Sequence, residues 1–253
     1  MYVEKIAGGM MERFERTRIG IITPDDAVND DEYWQYVNDD VTLLIDRYRT
    51  PSRFDPISSQ MVAAYGDFHL LEDCAETLRI TRPHALAFFC NSCSFVHGVG
   101  VDREMCERIS QAGGAPATTT TSAEVDALHA LRARRVAIAA PYNEEVTLKL
   151  KCFLNQSGFT VTSVKCLGLK AEWDIGNAAP SVWRQLIKEA DTPDSDCVLL
   201  ACTGVRTAAI IEDVEAELQK PLVSAPAVTI WRALRLAGYA RPVKHRGTLL
   251  RKF

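Results

Sequence analysis

The amino-acid sequence predicts an α/β protein of two pseudo-symmetric Rossmann-like lobes, each a mainly parallel four-stranded sheet flanked by helices, with a ligand site between them. Three observations carry that prediction. Short apolar runs of strand length alternate with stretches of helical period, the pattern of βαβ units. Two strand-end phrases look alike, His84-Ala-Leu-Ala-Phe-Phe-Cys90-Asn91-Ser92 and Asp196-Cys-Val-Leu-Leu-Ala-Cys202-Thr203-Gly204. A second pair, Arg18-Ile-Gly-Ile-Ile-Thr-Pro24 and Arg135-Val-Ala-Ile-Ala-Ala-Pro141, recurs at nearly the same interval: the prolines lie 117 residues apart (24 to 141) and the cysteines 112 (90 to 202). Two features repeating at one interval mark an internal repeat, and the lobes are drawn as 17–121 together with 225–253, and 122–224.

Taken in order, residues 1–17 are charged without a clear period and read as an arm or a short extra helix. Residues 19–23 form a buried strand ended by Pro24. The acidic run from Asp25 suits a helix N-terminus, and Tyr33, Val37, Val41, Leu44, Ile45 and Tyr48 recur at helical spacing, which carries this helix to about Arg49. The stretch 52–62, interrupted by Pro56, reads as an irregular strand. Leu70, Leu71, Cys74 and Leu78 share one face of a helix over 67–80. Next come the strand into Cys90, a loop through Gly98 and Gly100, and a helix near 102–112 closed by Gly113-Gly114. A threonine-rich strand follows at 115–121, with Ser122 capping the helix after it.

The second lobe repeats the alternation. It reads as a strand at 136–140, a helix at 144–156 closed by Gly158, a strand at 160–168, and a helix at 180–190 with proline in its first turn. The strand into Cys202, a helix at 208–219, a strand at 222–224 and a helix at 227–236 complete it. The last helix is expected to pack back on the first lobe.

The length of 253 residues fits two modest domains, and a net charge of −4 with no long basic run gives no reason to expect nucleic acid as a partner. No apolar run approaches the roughly 18 residues that span a bilayer, and the N-terminus lacks an apolar signal core. A cytoplasmic protein with no membrane partner is therefore expected. Its eight cysteines are then reduced, with Cys74, Cys106, Cys152 and Cys166 read as small core residues. Trp34, Trp173, Trp183 and Trp231 read as core or interface residues, Trp173 as the one nearest a pocket.

The chemistry is concentrated at the two strand ends. In open α/β sheets ligands bind beyond the carboxyl ends of the strands, where helix N-termini present free N–H groups. A thiol placed there has its thiolate favoured, and two thiols facing each other make an acid/base pair. A lone strand-end cysteine is usually a packing residue. Two in the same phrase, each followed by small polar residues, point instead to catalysis. Cys90 and Cys93 also form a C-x-x-C, but no second one completes a zinc or redox site, and His84 and His97 lack ligand spacing. Thr121 ends its strand at the same sheet edge, where its hydroxyl is a candidate ligand contact. Arg206, four residues past Cys202, is a candidate anion contact or a surface arginine.

Cys90-Asn91-Ser92 and Ala201-Cys202-Thr203 resemble the two cysteine motifs of the aspartate/glutamate racemase superfamily. The phrases Ala140-Pro141-Tyr142, the run from Val198 to Thr207 and the run from Val223 to Trp231 are closer to its branch of maleate cis-trans isomerases and arylmalonate decarboxylases. The similarity covers about 18–238. It implies a cofactor-independent isomerase or racemase of a small carboxylic acid. Cys90 would stand at the first thiol position, which is not cysteine in the decarboxylases, and Cys202 at the second, the proton donor in both. Tyr142 would hydrogen-bond a substrate oxygen, with Asn91, Ser92, Thr203 and Gly204 holding its charge and Pro24 beside them. No cofactor or metal is implied, and a homodimer or higher homo-oligomer is compatible.

Two departures bear on the substrate. Maleate isomerases carry an asparagine soon after the first strand, where this chain has Asn29 only beyond a longer loop. They carry another near the position of Glu172, whose carboxylate would repel a second substrate carboxylate. An amino acid, a hydantoin-like ring or a monoacid is easier to accommodate. Two other readings stay open: an arylmalonate-type decarboxylase using Cys202 as proton donor, and a non-catalytic carboxylate-binding homologue.

Overall fold

A computed structural model describes residues 15–51 and 56–253, so most of the predicted N-terminal arm lies outside the described residues. The first sheet has the order β2-β1-β3-β4, built from β1 (Thr17–Pro24), β2 (Val41–Tyr48), β3 (Ala85–Phe88) and β4 (Ala117–Thr119). The second has the order β6-β5-β7-β8, built from β5 (Arg135–Ala140), β6 (Thr160–Cys166), β7 (Cys197–Leu200) and β8 (Leu222–Ser224). Every pairing is parallel, and the two orders are the same motif repeated. The central strands are apolar along most of their length because helices cover both faces, which buries Ile19, Ile21, Ile22, Ala85–Phe88, Val136–Ala140 and Cys197–Leu200 completely. In each sheet the chain reverses its winding between the two middle strands. That is the switch point where an open α/β sheet leaves a crevice at its carboxyl edge.

The helices are α1 (Asp30–Trp34), α2 (Ser59–Ala64), α3 (Phe68–Arg79), α4 (Ser92–Phe95), α5 (Val101–Gly113), α6 (Thr120–Ala130), α7 (Glu144–Gln156), α8 (Glu172–Asn177), α9 (Pro180–Ala190), α10 (Ile211–Leu218), α11 (Ala225–Leu236) and α12 (Gly247–Lys252). The ends of α5 and α7 follow the glycine logic read from the sequence. Gly114 (φ +67°) and Gly158 (φ +92°) take the left-handed conformation that closes a helix. The α11 helix packs on α6, β3 and β4, as the sequence led us to expect for the first sheet. No helix among the described residues is long and apolar enough to cross a membrane.

Several local expectations are corrected. The helix carried to Arg49 stops at Trp34, and 41–48 is instead the edge strand β2, paired residue for residue with β1 from Thr17↔Val41 to Pro24↔Tyr48. Val41, Leu44, Ile45 and Tyr48 fit a helical spacing, while Val41, Leu43 and Ile45 also fit a two-residue period. The strand prevails because β1 would otherwise leave its backbone N–H and C=O groups unpaired. The strand expected at 52–62 lies partly outside the described residues, and its remainder starts α2, capped where Ser58 Oγ accepts the Met61 N–H at 3.2 Å. The strand at 115–121 ends at Thr119, whose Oγ1 accepts the Ser122 N–H at 3.1 Å. Thr119 is thus the cap in place of Ser122, and Thr121 lies in the first turn of α6. Cys152 is exposed, and Cys106 and Cys166 are only half-buried. Trp34 is exposed, and Trp173 is 65% exposed on the outer side of α8.

Side chains from the first half reach across to the second. The Glu32 carboxylate, buried, accepts the backbone N–H groups of Thr207 (2.6 Å) and Ala208 (2.7 Å) and the Tyr36 hydroxyl (2.6 Å). Asn29 Nδ2 donates to the Thr203 carbonyl at 2.8 Å. Arg206, considered above as an anion contact, is spent on structure: it donates to the Gly176 carbonyl (2.7 Å) and pairs with Asp31 (2.7 Å). These bonds hold the two sheet edges against each other, and the candidate site lies in that seam.

Candidate active site

Each thiol is delivered by one extra residue of strand-like pairing. Past β3, the Phe89 N–H donates to the Ile22 carbonyl at 2.8 Å, and past β7 the Ala201 N–H donates to the Ala139 carbonyl at 2.9 Å. The next residue in each case is the cysteine. After Cys90 the chain turns into an ordinary right-handed helix, with Asn91 at φ −76° and ψ −53°. Cys202 is different: its φ is +81°, a conformation that costs a residue with a Cβ on the order of 1 kcal/mol or more. It is held there because its N–H donates to Asn91 Oδ1 at 3.0 Å, across the seam.

Both cysteines line one small, partly open cavity of about 30 Å³. Around it also stand Pro24, Asn29, Asn91, Ser92, Tyr142, Glu172, Thr203 and Gly204, so the structure brings together all but one of the site residues read from the sequence. The exception is Thr121. Fully buried in α6, it does not line the cavity; its hydroxyl donates to the Asn91 carbonyl at 3.0 Å and shares a 2.5 Å hydrogen bond with Ser94. It stands one layer behind the wall because the chain left the sheet two residues earlier than expected. Trp173, expected nearest the pocket, points away from it.

The electrostatics of Cys202 also differ from expectation. Its thiol is pushed well above the usual range, first by burial and then by the Glu172 carboxyl, whose Oε2 lies 3.8 Å from the sulfur. The Gly204 N–H, 3.3 Å from Sγ, and the Tyr142 hydroxyl pull the other way without prevailing. No helix N-terminus backs this thiol, since α10 starts only at Ile211. Cys202 therefore holds its proton at neutral pH. Cys93 is likewise raised, by burial and by Cys90, and its thiol donates to the Cys90 carbonyl at 3.5 Å, packed under the first turn of α4. Among the described residues no group of three or more His, Cys, Asp or Glu side chains is placed to hold a metal ion.

Near each strand end stands a glutamate, Glu124 fully buried and Glu172 half-buried. Glu124, on α6, accepts from Asn91 Nδ2 at 2.9 Å, and burial raises its carboxyl to about 8. Its other oxygen has no hydrogen-bond partner, which suits a neutral carboxylic acid. Glu172, at the start of α8, is raised to about 8 by burial and by Asp26. Asp26 was missed in the sequence, as were Tyr65 and Gly176, which also line the cavity. Burial raises the Asp26 carboxyl too, and Tyr65 donates to its Oδ2 at 2.7 Å. The signal was present as Asp25-Asp26 directly after the first strand end, but acidic residues there read equally well as the start of a helix. Gly176 permits the close approach of α8: a Cβ there would come 2.2 Å from Val28 Cγ2.

Comparison with known proteins follows the same seam. The family model described as arylmalonate decarboxylase matches residues 64–250, which include both cysteines and both glutamates. The chain belongs to the arylmalonate decarboxylase family. Within that family's range it is 30% identical over 191 residues to arylmalonate decarboxylase of Bordetella bronchiseptica, covering 75% of each chain. It is 28% identical over 183 residues to a maleate isomerase of Pseudomonas putida, covering 70% of this chain and 73% of the relative. The crystal structure of the maleate isomerase from Pseudomonas putida S16 superposes with a TM-score of 0.85 at 24% identity, covering 93% of this chain and 98% of that one. The resemblance and the α/β architecture read from the sequence are both borne out, and an arylmalonate decarboxylase family member carrying two cavity cysteines is the frame for its chemistry.

Proposed function

We propose that this chain is a cofactor-independent isomerase of a small carboxylic acid, of the maleate isomerase kind, working through Cys90 and Cys202. The observation that carries the reading is that two cysteines from equivalent strand ends line one small cavity together with Tyr142, Ser92 and Thr203. The two halves, 17–121 with 225–253 and 122–224, supply one wall each.

In cis-trans isomerisation, the Cys90 thiolate adds to one alkene carbon, and the π pair moves to the carbon next to the carboxylate and onto its oxygens. The former double bond is now single and rotates. During this the carbon next to the carboxylate carries the Cys202 proton, which the Cys202 sulfur takes back as the alkene reforms and the C–S bond breaks, so neither protons nor electrons are gained or lost. In the racemising variant, one sulfur removes the α-proton and the opposite thiol returns one on the other face. In both, charge builds on the carboxylate oxygens. Tyr142, Ser92 and Thr203 donate to it, and one preorganised donor of this kind is worth about 3 kcal/mol. Cys202, held protonated by burial and Glu172, is the acid.

Decarboxylation is the second reading, favoured by the family match and the 30% identical relative. It needs the Cys202 proton but not Cys90. Incubating the enzyme with small acids in deuterated water separates the two. Isomerisation gives a cis/trans or α-deuterated product that depends on both cysteines, whereas carbon dioxide release that survives Cys90→Ala establishes decarboxylation. Neither product from any acid would defeat both readings.

A further inference from the structure

The cavity carries two carboxyl groups and no cation. Asp26, in the loop after β1, and Glu172, at the start of α8, face it from opposite sides of the seam, and no Lys, Arg or His lines it. The nearby cations are engaged elsewhere: Arg47 is paired with Asp30 at 2.7 Å, and Arg206 with Asp31 at 2.7 Å. The α8 helix cannot simply swing Glu172 away, because Gly176 is packed against Val28 and its carbonyl is bound by Arg206. A substrate with two carboxylates would bring a second negative charge against this pair in a region of low dielectric, where like charges repel strongly.

We propose that Asp26 and Glu172 form a receptor for a neutral primary carboxamide, so that the substrate is a small monocarboxylate whose other end is an amide, in place of a dicarboxylate. A carboxamide offers one acceptor oxygen and two N–H donors. A pair of carboxyls sharing one proton offers the complement: an O–H donor to the amide oxygen, and a carboxylate that accepts an amide N–H. Asp26 is the acceptor, its Oδ2 already taking the Tyr65 hydroxyl at 2.7 Å, and Glu172 is the donor. The raised carboxyl of Glu172 agrees with that division. The substrate's own carboxylate then lies toward the hydroxyls of Ser92 and Thr203, with the reacting carbon between Cys90 and Cys202. The inference rests on the proposed function for this last placement alone. The amide receptor itself is a statement about binding.

The test compares maleate with its monoamide, which share one carbon skeleton. Binding is read as protection of Cys90 from iodoacetamide in a Cys152→Ser background, because Cys152 is exposed and would react as well. Turnover is read separately by product analysis. The monoamide is expected to protect at concentrations at least tenfold lower than maleate at neutral pH, and an Asp26→Asn, Glu172→Gln double variant to narrow or reverse that ratio. Equal or better protection by maleate in the unsubstituted enzyme overturns the proposal, as does no protection by either acid. Preferential protection by the monoamide without turnover upholds the receptor and counts against the isomerase reading. Should the double variant fail to fold, the comparison in the unsubstituted enzyme still decides.

Discussion

The two strand ends begin as near copies and finish as different chemical environments. Cys90 leads into a regular helical turn, and its sulfur has Cys93 packed beneath it. Cys202 leads into an irregular turn, takes φ +81°, and is surrounded by Glu172, Tyr142 and the Gly204 N–H. The same short phrase thus gives one cysteine on relaxed backbone and one on strained backbone, the latter held as a buried acid. Strain of this kind persists only where surroundings over-determine it. Here they do so through Asn91, which belongs to the first phrase and holds the second in place.

The largest effects test whether both sulfurs act. Replacing Cys202 by serine is expected to lower kcat about 1,000-fold or more while the melting temperature moves by only a few degrees, since a hydroxyl replaces a poorly hydrated thiol of similar shape. Cys90→Ala is expected to do the same to isomerisation. Near-wild-type turnover by either variant would remove that cysteine from the mechanism. Next in size is the bond that joins the two phrases. Asn91→Leu leaves the Cys202 N–H and the Glu124 carboxyl without partners, and should cost about 3 kcal/mol in denaturant unfolding along with most of kcat. A stable, active Asn91→Leu would show that Cys202 keeps its conformation unaided.

The glutamates sharpen the contrast through pH. The folded-state carboxyls of Glu124 and Glu172 are raised to about 8 from 4.5, so between those values the native state binds more protons than the unfolded chain. Their contribution is therefore full below about pH 4.5 and lost as pH rises toward 8. Glu124→Gln should flatten that decline by on the order of 2 kcal/mol between pH 5 and 8. Glu172→Gln should flatten it as well and, unlike Glu124→Gln, lower the titration of the Cys202 thiol, measured by thiolate absorbance. The smallest prediction isolates backbone strain. At position 202 glycine should be more stable than alanine by about 1 kcal/mol, whereas at position 90 alanine should be more stable than glycine by a similar amount. The same sign at both positions would mean that the strain at Cys202 is not real.

Much of this was legible before any coordinates. The alternation of apolar and amphipathic runs, the 112-residue recurrence and the glycines at 114 and 158 are local properties of the chain, and α7 and α9 fall where periodicity and capping place them. Val41 to Tyr48 was not legible, because its apolar spacing satisfies two periods and only the empty edge of β1 chooses between them. Asp26 was hidden for a related reason: an acidic residue after a strand suits a helix start, and only the tertiary packing, with Tyr65 donating to its carboxylate, seats it in the cavity with Glu172.

The chain by itself determined that two parallel sheets would each present a cysteine at a carboxyl edge, because strand length, side-chain period and helix punctuation are set by neighbours in sequence. The three-dimensional packing alone decided which cysteine is strained, which keeps its proton, and which carboxyls share the cavity with them. Those properties come from desolvation and from hydrogen bonds between residues such as Asn91 and Cys202, 111 positions apart, and no local pattern records such partners.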